Sequence, residues 1–297
     1  MSAVQNYTEC ELTNQGDKTI AIWSIAKLLR DFMSEQYAVG MWSEALEEQL
    51  AWRVRDTRSC TRMPELDANI PSWSWASIKG AVVPQHRLAK RPYKITDHDE
   101  AVVGFAVKEE TRQGDKEPIL KSRTLALKAH INFGRLVRGQ EDQYRLHFSS
   151  EIRTDTVEVD VFLDTPRATT CIDPEHCAFV ILAASATPNT TDTPQARQTY
   201  SGVGLLLVPH STWFAEQERL YQEYKSALAG VEPSREQQWR LDAFEKLMLQ
   251  QSERVMKMGG KIESMYRRVG ALQFRDMDEQ TFSSLTDDGH RGDIWLE

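Results

Sequence analysis

No apolar run in this chain is long enough to cross a bilayer. The longest, such as Ala178 to Ala184, fall far short of the ~20 residues a spanning helix needs. The opening Met1-Ser2-Ala3-Val4-Gln5-Asn6 lacks both the basic and the apolar region of a secretory leader. Cysteine is scarce: Cys10, Cys60, Cys171 and Cys177 are four in 297 residues, which fits reduced thiols in the cytosol rather than a disulfide framework. Without export, the glycosylation patterns Asn6-Tyr7-Thr8 and Asn189-Thr190-Thr191 carry no meaning. A basic excess is also missing. The formal charge of −8 argues against general phosphate or nucleic-acid binding. One local exception is the acid-free stretch Lys79 to Lys94 with Arg87, Lys90 and Arg91, which reads as a solvated edge ahead of an anion site. These absences predict a cytoplasmic protein with neither nucleic acid nor membrane as partner.

Catalytic patterns are equally thin. There is no Gly-x-Ser-x-Gly elbow and no cysteine in a nucleophile signature. Ser201-Gly202-Val203-Gly204 leads into an apolar strand, without the third glycine and the helix N-terminus that hold a pyrophosphate, so close backbone packing is expected there. Cys171 and Cys177 with His176 offer too few ligands at the wrong spacing for a structural zinc, and Cys177 reads as a buried thiol. His86, His98, His130, His147, His210 and His290 are scattered without ligand spacing. Asp97 with Asp99, and Glu158 with Asp160, have the i,i+2 spacing of one strand face. General acid–base work would need burial and unlike environments, so a solvated face is the expectation. No catalytic, cofactor-binding or metal-ligating residue is assigned, and no cofactor is expected.

What is present is an ordinary globular composition, 40% hydrophobic and 27% charged, with eight tryptophans to anchor cores or interfaces. Residues 1–68 read as helical. Asp17 is an N-cap before a helix carrying Ile20, Trp23, Ala26, Leu29 and Phe32. After Gly40 the spacing of Trp42, Leu46 and Leu50 predicts a second amphipathic helix, with Glu44, Glu47 and Glu48 on its other faces. An Arg-rich link from Arg53 to Asn69 follows. Residues 69–297 read as β-rich. Leu125, Leu127, Ala129 and Ile131 alternate, as do Val157, Val159, Val161 and Leu163. Ala178 to Ala184 and Gly202 to Val208 are continuously apolar, the pattern of strands buried on both faces. Between about 209 and 260 two helical stripes, Trp213-Leu220-Tyr224-Leu228 and Leu241-Phe244-Met248-Val255, predict an inserted αα-hairpin. Ser234-Arg235-Glu236-Gln237 is the capping box of its second helix. Strand character returns from Ser264 to Phe274. The expected class is α+β: N-terminal helices packed on an antiparallel barrel or sandwich, with the hairpin as a packing element or a partner-binding arm.

The most distinctive segment is Ile70-Pro71-Ser72-Trp73-Ser74-Trp75-Ala76-Ser77. Read as a strand, it points Trp73, Trp75 and Ser77 one way and Ser72, Ser74 and Ala76 the other. Two indoles on one face suit either a core or a stacking platform for a small molecule or glycan, and their solvent exposure separates the two.

The order of the motifs adds to this. Tyr7 and Leu12-Thr13 precede Asp17-Lys18 and Ala21-Ile22-Trp23-Ser24-Ile25-Ala26. Tyr37-x2-Gly40-Met41-Trp42, Leu46 and Leu50-Ala51-Trp52 come next, then the Trp segment with Gly80. Gly204-Leu205-Leu206-Leu207 and Tyr266-Arg267-Arg268-Val269-Gly270 stand near the end. This succession resembles the region downstream of the HET domain in fungal heterokaryon-incompatibility proteins, with the HET domain itself missing. The resemblance spans most of the chain, and the Pro-Ser-Trp-Ser-Trp-Ala-Ser string is specific to that group. It implies a non-catalytic regulatory or interaction region linked to self/non-self recognition and programmed cell death. A protein partner or self-association through the hairpin is expected. Trp73, Trp75, Ser77, Arg267 and Arg268 are the candidate ligand or structural residues.

Overall fold

A computed structural model describes residues 3–10, 12, 17–62, 70–109, 116–140, 143–149, 156–187, 198–230, 232–258 and 263–297. The chain opens with helices α1 (Ala3–Glu9) and α2 (Lys18–Met33). A small hairpin, β1 (Tyr37–Ala38) and β2 (Met41–Trp42), the single turn α3 (Leu46–Gln49) and strand β3 (Arg53–Val54) come next. Strand β4 (Val82–Val83) pairs antiparallel with β3, ahead of β5 (Tyr93–Lys94). The β-rich part comprises β6 (Leu125–Ala129), β7 (Asn132–Arg138), β8 (Tyr144–Ser149) and β9 (Thr156–Leu163), then the turn α4 (Ala168–Cys171), β10 (Cys177–Thr187) and β11 (Thr199–Pro209). Helices α5 (His210–Ala227) and α6 (Arg235–Met258) form the long hairpin before β12 (Met265–Asp278), α7 (Glu279–Leu285) and β13 (Gly292–Leu296).

The fold is α+β. Six strands run in the order β11-β10-β7-β8-β9-β12, and β12 pairs back onto β11, so the sheet closes into an antiparallel ring. Strand β13 extends β12 in parallel, β6 pairs with β13, and β5 lies on β10.

Strands β10 and β11 are apolar at successive positions because they feed two cores at once. Phe179, Ile181 and Leu206 join a cluster with Leu146, Val161 and Leu272. Ala178, Val180 and Leu182, with Leu205 and Leu207, join a second cluster that also holds Ile22, Trp23, Trp52, Trp73 and Trp75. Period-two geometry sends neighbours to opposite faces, and here both faces are covered. Strands β6 and β9 bury alternate residues, as their sequence pattern predicts. Gly204 sits where a Cβ would lie 2.2 Å from the Val180 carbonyl oxygen, so the Gly-x-Gly pair serves close strand packing. The capping box forms reciprocally: the Gln237 amide N–H donates to Ser234 Oγ, and the Ser234 N–H donates to Gln237 Oε1 at 2.8 Å.

Several expectations need correction. The helix predicted from Trp42 to Leu50 is the strand β2 followed by one turn, and Glu47 and Glu48 are buried rather than solvent-facing. Tertiary ion pairing overrides the amphipathic reading, because Arg91 reaches both carboxylates. The stripe expected on α2 splits: Trp23 and Ala26 are buried, while Ile20, Leu29 and Phe32 are exposed. Asp97 and Asp99 lie in a turn, where Asp97 Oδ1 accepts from the backbone N–H groups of Asp99 and Ala101. The acid-free stretch finds its acids elsewhere in the chain, with Arg87 2.7 Å from Glu44 and Arg91 2.8 Å from Glu47. The Arg-rich link falls partly outside the described residues.

Candidate functional site at the tryptophan segment

The Trp segment is not a strand. Residues Trp75–Ser77 form a 3-10 turn whose N-cap is Ser74, its hydroxyl accepting from the Ala76 N–H at 3.0 Å. Small hydroxylated residues compete with strand pairing by bonding the nearby backbone, and here they win. Ser77 Oγ donates back to the Ser74 carbonyl at 2.7 Å. Every residue from Ile70 to Ile78 is buried, with Trp73 0% and Trp75 3% exposed.

Each indole N–H is satisfied by backbone. Trp73 donates to the Arg123 carbonyl and Trp52 to the Trp73 carbonyl, both at 2.8 Å. Trp75 donates to Gly40 at 2.7 Å. Gly40 has φ +83°, and a Cβ there would lie 2.7 Å from the Trp75 ring. Lys18 Nζ stands 5.2 Å over the same ring and donates to the Ile78 carbonyl. Burial lowers its amine to about 8.

Of the predicted residues, Ser77 and Arg268 are brought together through two others that local sequence gave no sign of, Arg62 and Asp164. Arg268 binds Asp164 through Nε at 3.1 Å and Nη2 at 2.9 Å, and donates to the carbonyls of Leu50 and Trp52. Its guanidinium lies 3.3 Å over the Trp52 ring. Arg62 bridges Ser77 Oγ at 3.0 Å and Asp164 at 3.4 Å. The Arg268 N–H also donates to Ser72 Oγ at 3.2 Å. Burial pulls the Arg268 guanidinium below its ordinary value, while the adjacent Asp164 carboxylate works to hold the charge. The cluster therefore ties the Trp segment to strand β12 and to the turn after β9.

Arg267 faces the other way. It lies 3.5 Å over the Trp213 ring at the base of the long hairpin and 4.0 Å from Glu297. His210 Nε2 is 2.9 Å from Glu297 and 3.1 Å from Gln251 Oε1, all fully buried. Adjacent arginines on one strand thus fasten two different elements.

No known family, curated protein or solved structure matches this chain. The geometry must therefore speak alone. Beside Trp75 a groove of about 110 Å³ opens between α1, α2 and β2, lined by Val4, Ile25, Leu29, Trp42, Trp75 and Pro84 among others. Among the described residues no charged side chain lines it. The α2 stripe continues outward from its lip, with Leu28 75% and Phe32 89% exposed. The described residues hold no group of three or more His, Cys, Asp or Glu side chains placed to bind a metal ion. Cys177 is a buried thiol, pushed up to about 12 by burial. Glu158 pairs with Arg145 at 2.6 Å on an open sheet face. No helix among the described residues is long and apolar enough to cross a membrane.

Proposed function

We propose that this chain is a non-catalytic regulatory and interaction region of the heterokaryon-incompatibility type. In this reading it works in the cytoplasm, in self/non-self recognition and programmed cell death. The N-terminal helices rest on the antiparallel ring, the long hairpin is an insertion, and the Trp segment is the joint between them.

The observation that carries the reading is the distribution of apolar surface. Trp73 and Trp75 are spent in the core, while Ile25, Leu28, Leu29, Phe32 and Met33 stand exposed along one side of α2 beside the groove. A contiguous apolar face of that kind marks an interaction site. The hairpin adds Trp239, Leu249 and Met256 as exposed apolar residues, a second contact region for a protein partner or another copy of the chain. The stacking platform for a small molecule or glycan would need open indole faces on Trp73 and Trp75, and both rings are covered.

Expression of the chain in a filamentous fungus beside a separately encoded HET domain tests the proposal, with hyphal cell death scored microscopically. The expected result is death that requires both parts and is lost in the Leu28→Asp/Phe32→Asp double variant. Death independent of this chain, or unaffected by the double variant, would refute it.

A further inference from the structure

Two carboxylates share one arginine inside the molecule. Glu47 and Glu48 on the α3 turn are 1% and 2% exposed. Arg91 meets Glu47 Oε1 at 2.8 Å and Glu48 Oε1 at 3.3 Å, and the Leu88 N–H donates to the same Glu48 oxygen at 3.2 Å. The second oxygen of each carboxylate, Glu47 Oε2 and Glu48 Oε2, is buried with no hydrogen-bond partner among the described residues.

Among the described residues no further countercharge lies at contact distance. Strand β10, packed against α3, carries no ionisable side chain apart from Cys177 at its far end. Arg87 acts on Glu48 from a distance but makes its contact with Glu44, which in turn shares a hydrogen bond with Glu35. Two buried negative charges against one positive charge leave an excess that low-dielectric surroundings penalise. A proton on the Glu48 carboxyl removes that excess.

We propose that Glu47, Glu48 and Arg91 form a proton-dependent clamp that fastens the segment from Arg87 to Lys94 onto α3. The clamp is closed when Glu48 carries a proton and loosens when Glu48 is ionised. The fastened segment runs into β5, which is hydrogen-bonded to β10, and α3 also carries Gln49, whose amide holds the backbone of Trp42 at the groove. Loosening the clamp therefore reaches the groove wall.

Burial raises the Glu48 carboxyl above its ordinary value. The folded chain then keeps a proton that the unfolded chain has released, over the window from the ordinary carboxylate value up to the raised one. Across that window stability falls as pH rises, and above it the loss is complete.

The test compares the full chain with Glu48→Gln, which carries the neutral form permanently. Melting temperature is followed from pH 5 to pH 7.5. Glu48→Gln should melt roughly 2–4 °C above the unaltered chain at pH 7.5, and the gap should shrink toward pH 5. The Leu88 amide should lose hydrogen-exchange protection with rising pH in the unaltered chain and keep it in Glu48→Gln. A carboxyl carbon-13 titration of the unaltered chain gives a reading that requires no variant to fold, and Glu48 should titrate above the ordinary carboxylate range. Titration of Glu48 at or below that range would overturn the clamp. So would a Glu48→Gln variant that melts lower at pH 7.5, or one whose gap does not change with pH.

Discussion

Gly40 and Trp75 constrain each other through backbone conformation, ring contact and an indole hydrogen bond to the glycine carbonyl. Gly40→Ala should lower stability by about 1–3 kcal/mol, because a side chain at that φ is strained and would also strike the ring. Trp75→Ala should cost about 3–5 kcal/mol, the usual penalty for emptying a buried aromatic site. Chemical denaturation of the two variants reads both values, and an unchanged midpoint for Trp75→Ala would remove it from the core. Asp164→Asn leaves the Arg268 guanidinium buried without its carboxylate, and a loss of about 3–5 kcal/mol is expected. Three of the thiols are buried and pushed upward by that burial, Cys60 to about 11 and Cys177 to about 12, with Cys171 also raised. Only Cys10 is exposed. A thiol-reactive dye should therefore label one cysteine in the folded chain and four in denaturant. Rapid labelling of a second cysteine under native conditions would contradict the burial.

At the scale of elements, the long hairpin divides into an anchored base and a free end. His210, Trp213, Leu247 and Gln251 are buried at the base, whereas none of the described residues from 225 to 240 is. Tyr221 and Tyr224 meet Phe244 across the pair, so the two helices are already side by side where that free end begins. Replacing residues 225–240 with a short Gly/Ser turn should shift the melting temperature by only a few degrees. Truncating the base at Trp213 should cost several kcal/mol, because it also strips the ring under Arg267. Differential scanning calorimetry separates the two outcomes.

The hairpin, its capping box and the ring strands β9 to β12 were legible in the sequence because their signals are local: helical stripes, a Ser-x-x-Gln box, and alternating or continuous apolar runs, whereas the ring strands β7 and β8 went unread. The Trp segment was legible as important but not in shape. Its serines satisfy the backbone in a turn, while its alternating composition imitates a strand. The turn at Glu47 and Glu48 was misread for the opposite reason. Its countercharge, Arg91, lies more than forty residues away and no local pattern announces it. The same holds for Asp164, which meets Arg268 across 104 residues of chain.

For the whole molecule, the spent tryptophans matter most. Four of the side chains that give the sequence its character, Trp23, Trp52, Trp73 and Trp75, lie in one core with apolar residues of β6, β10 and β11. In the proposed reading, recognition falls to the exposed face of α2 with the groove beside it and to the exposed apolar residues of the hairpin. Salt should have little effect on binding through the α2 face, because none of the described residues lining the groove is charged, and this distinguishes it from an electrostatic contact at the Arg87 edge. The most direct measurement is isothermal titration of this chain with a separately produced HET domain. Saturable binding is expected, weakened at least tenfold in Leu28→Asp/Phe32→Asp, with the melting temperature of that variant unchanged. Absence of binding by the unaltered chain, or equal binding by a folded double variant, would contradict it.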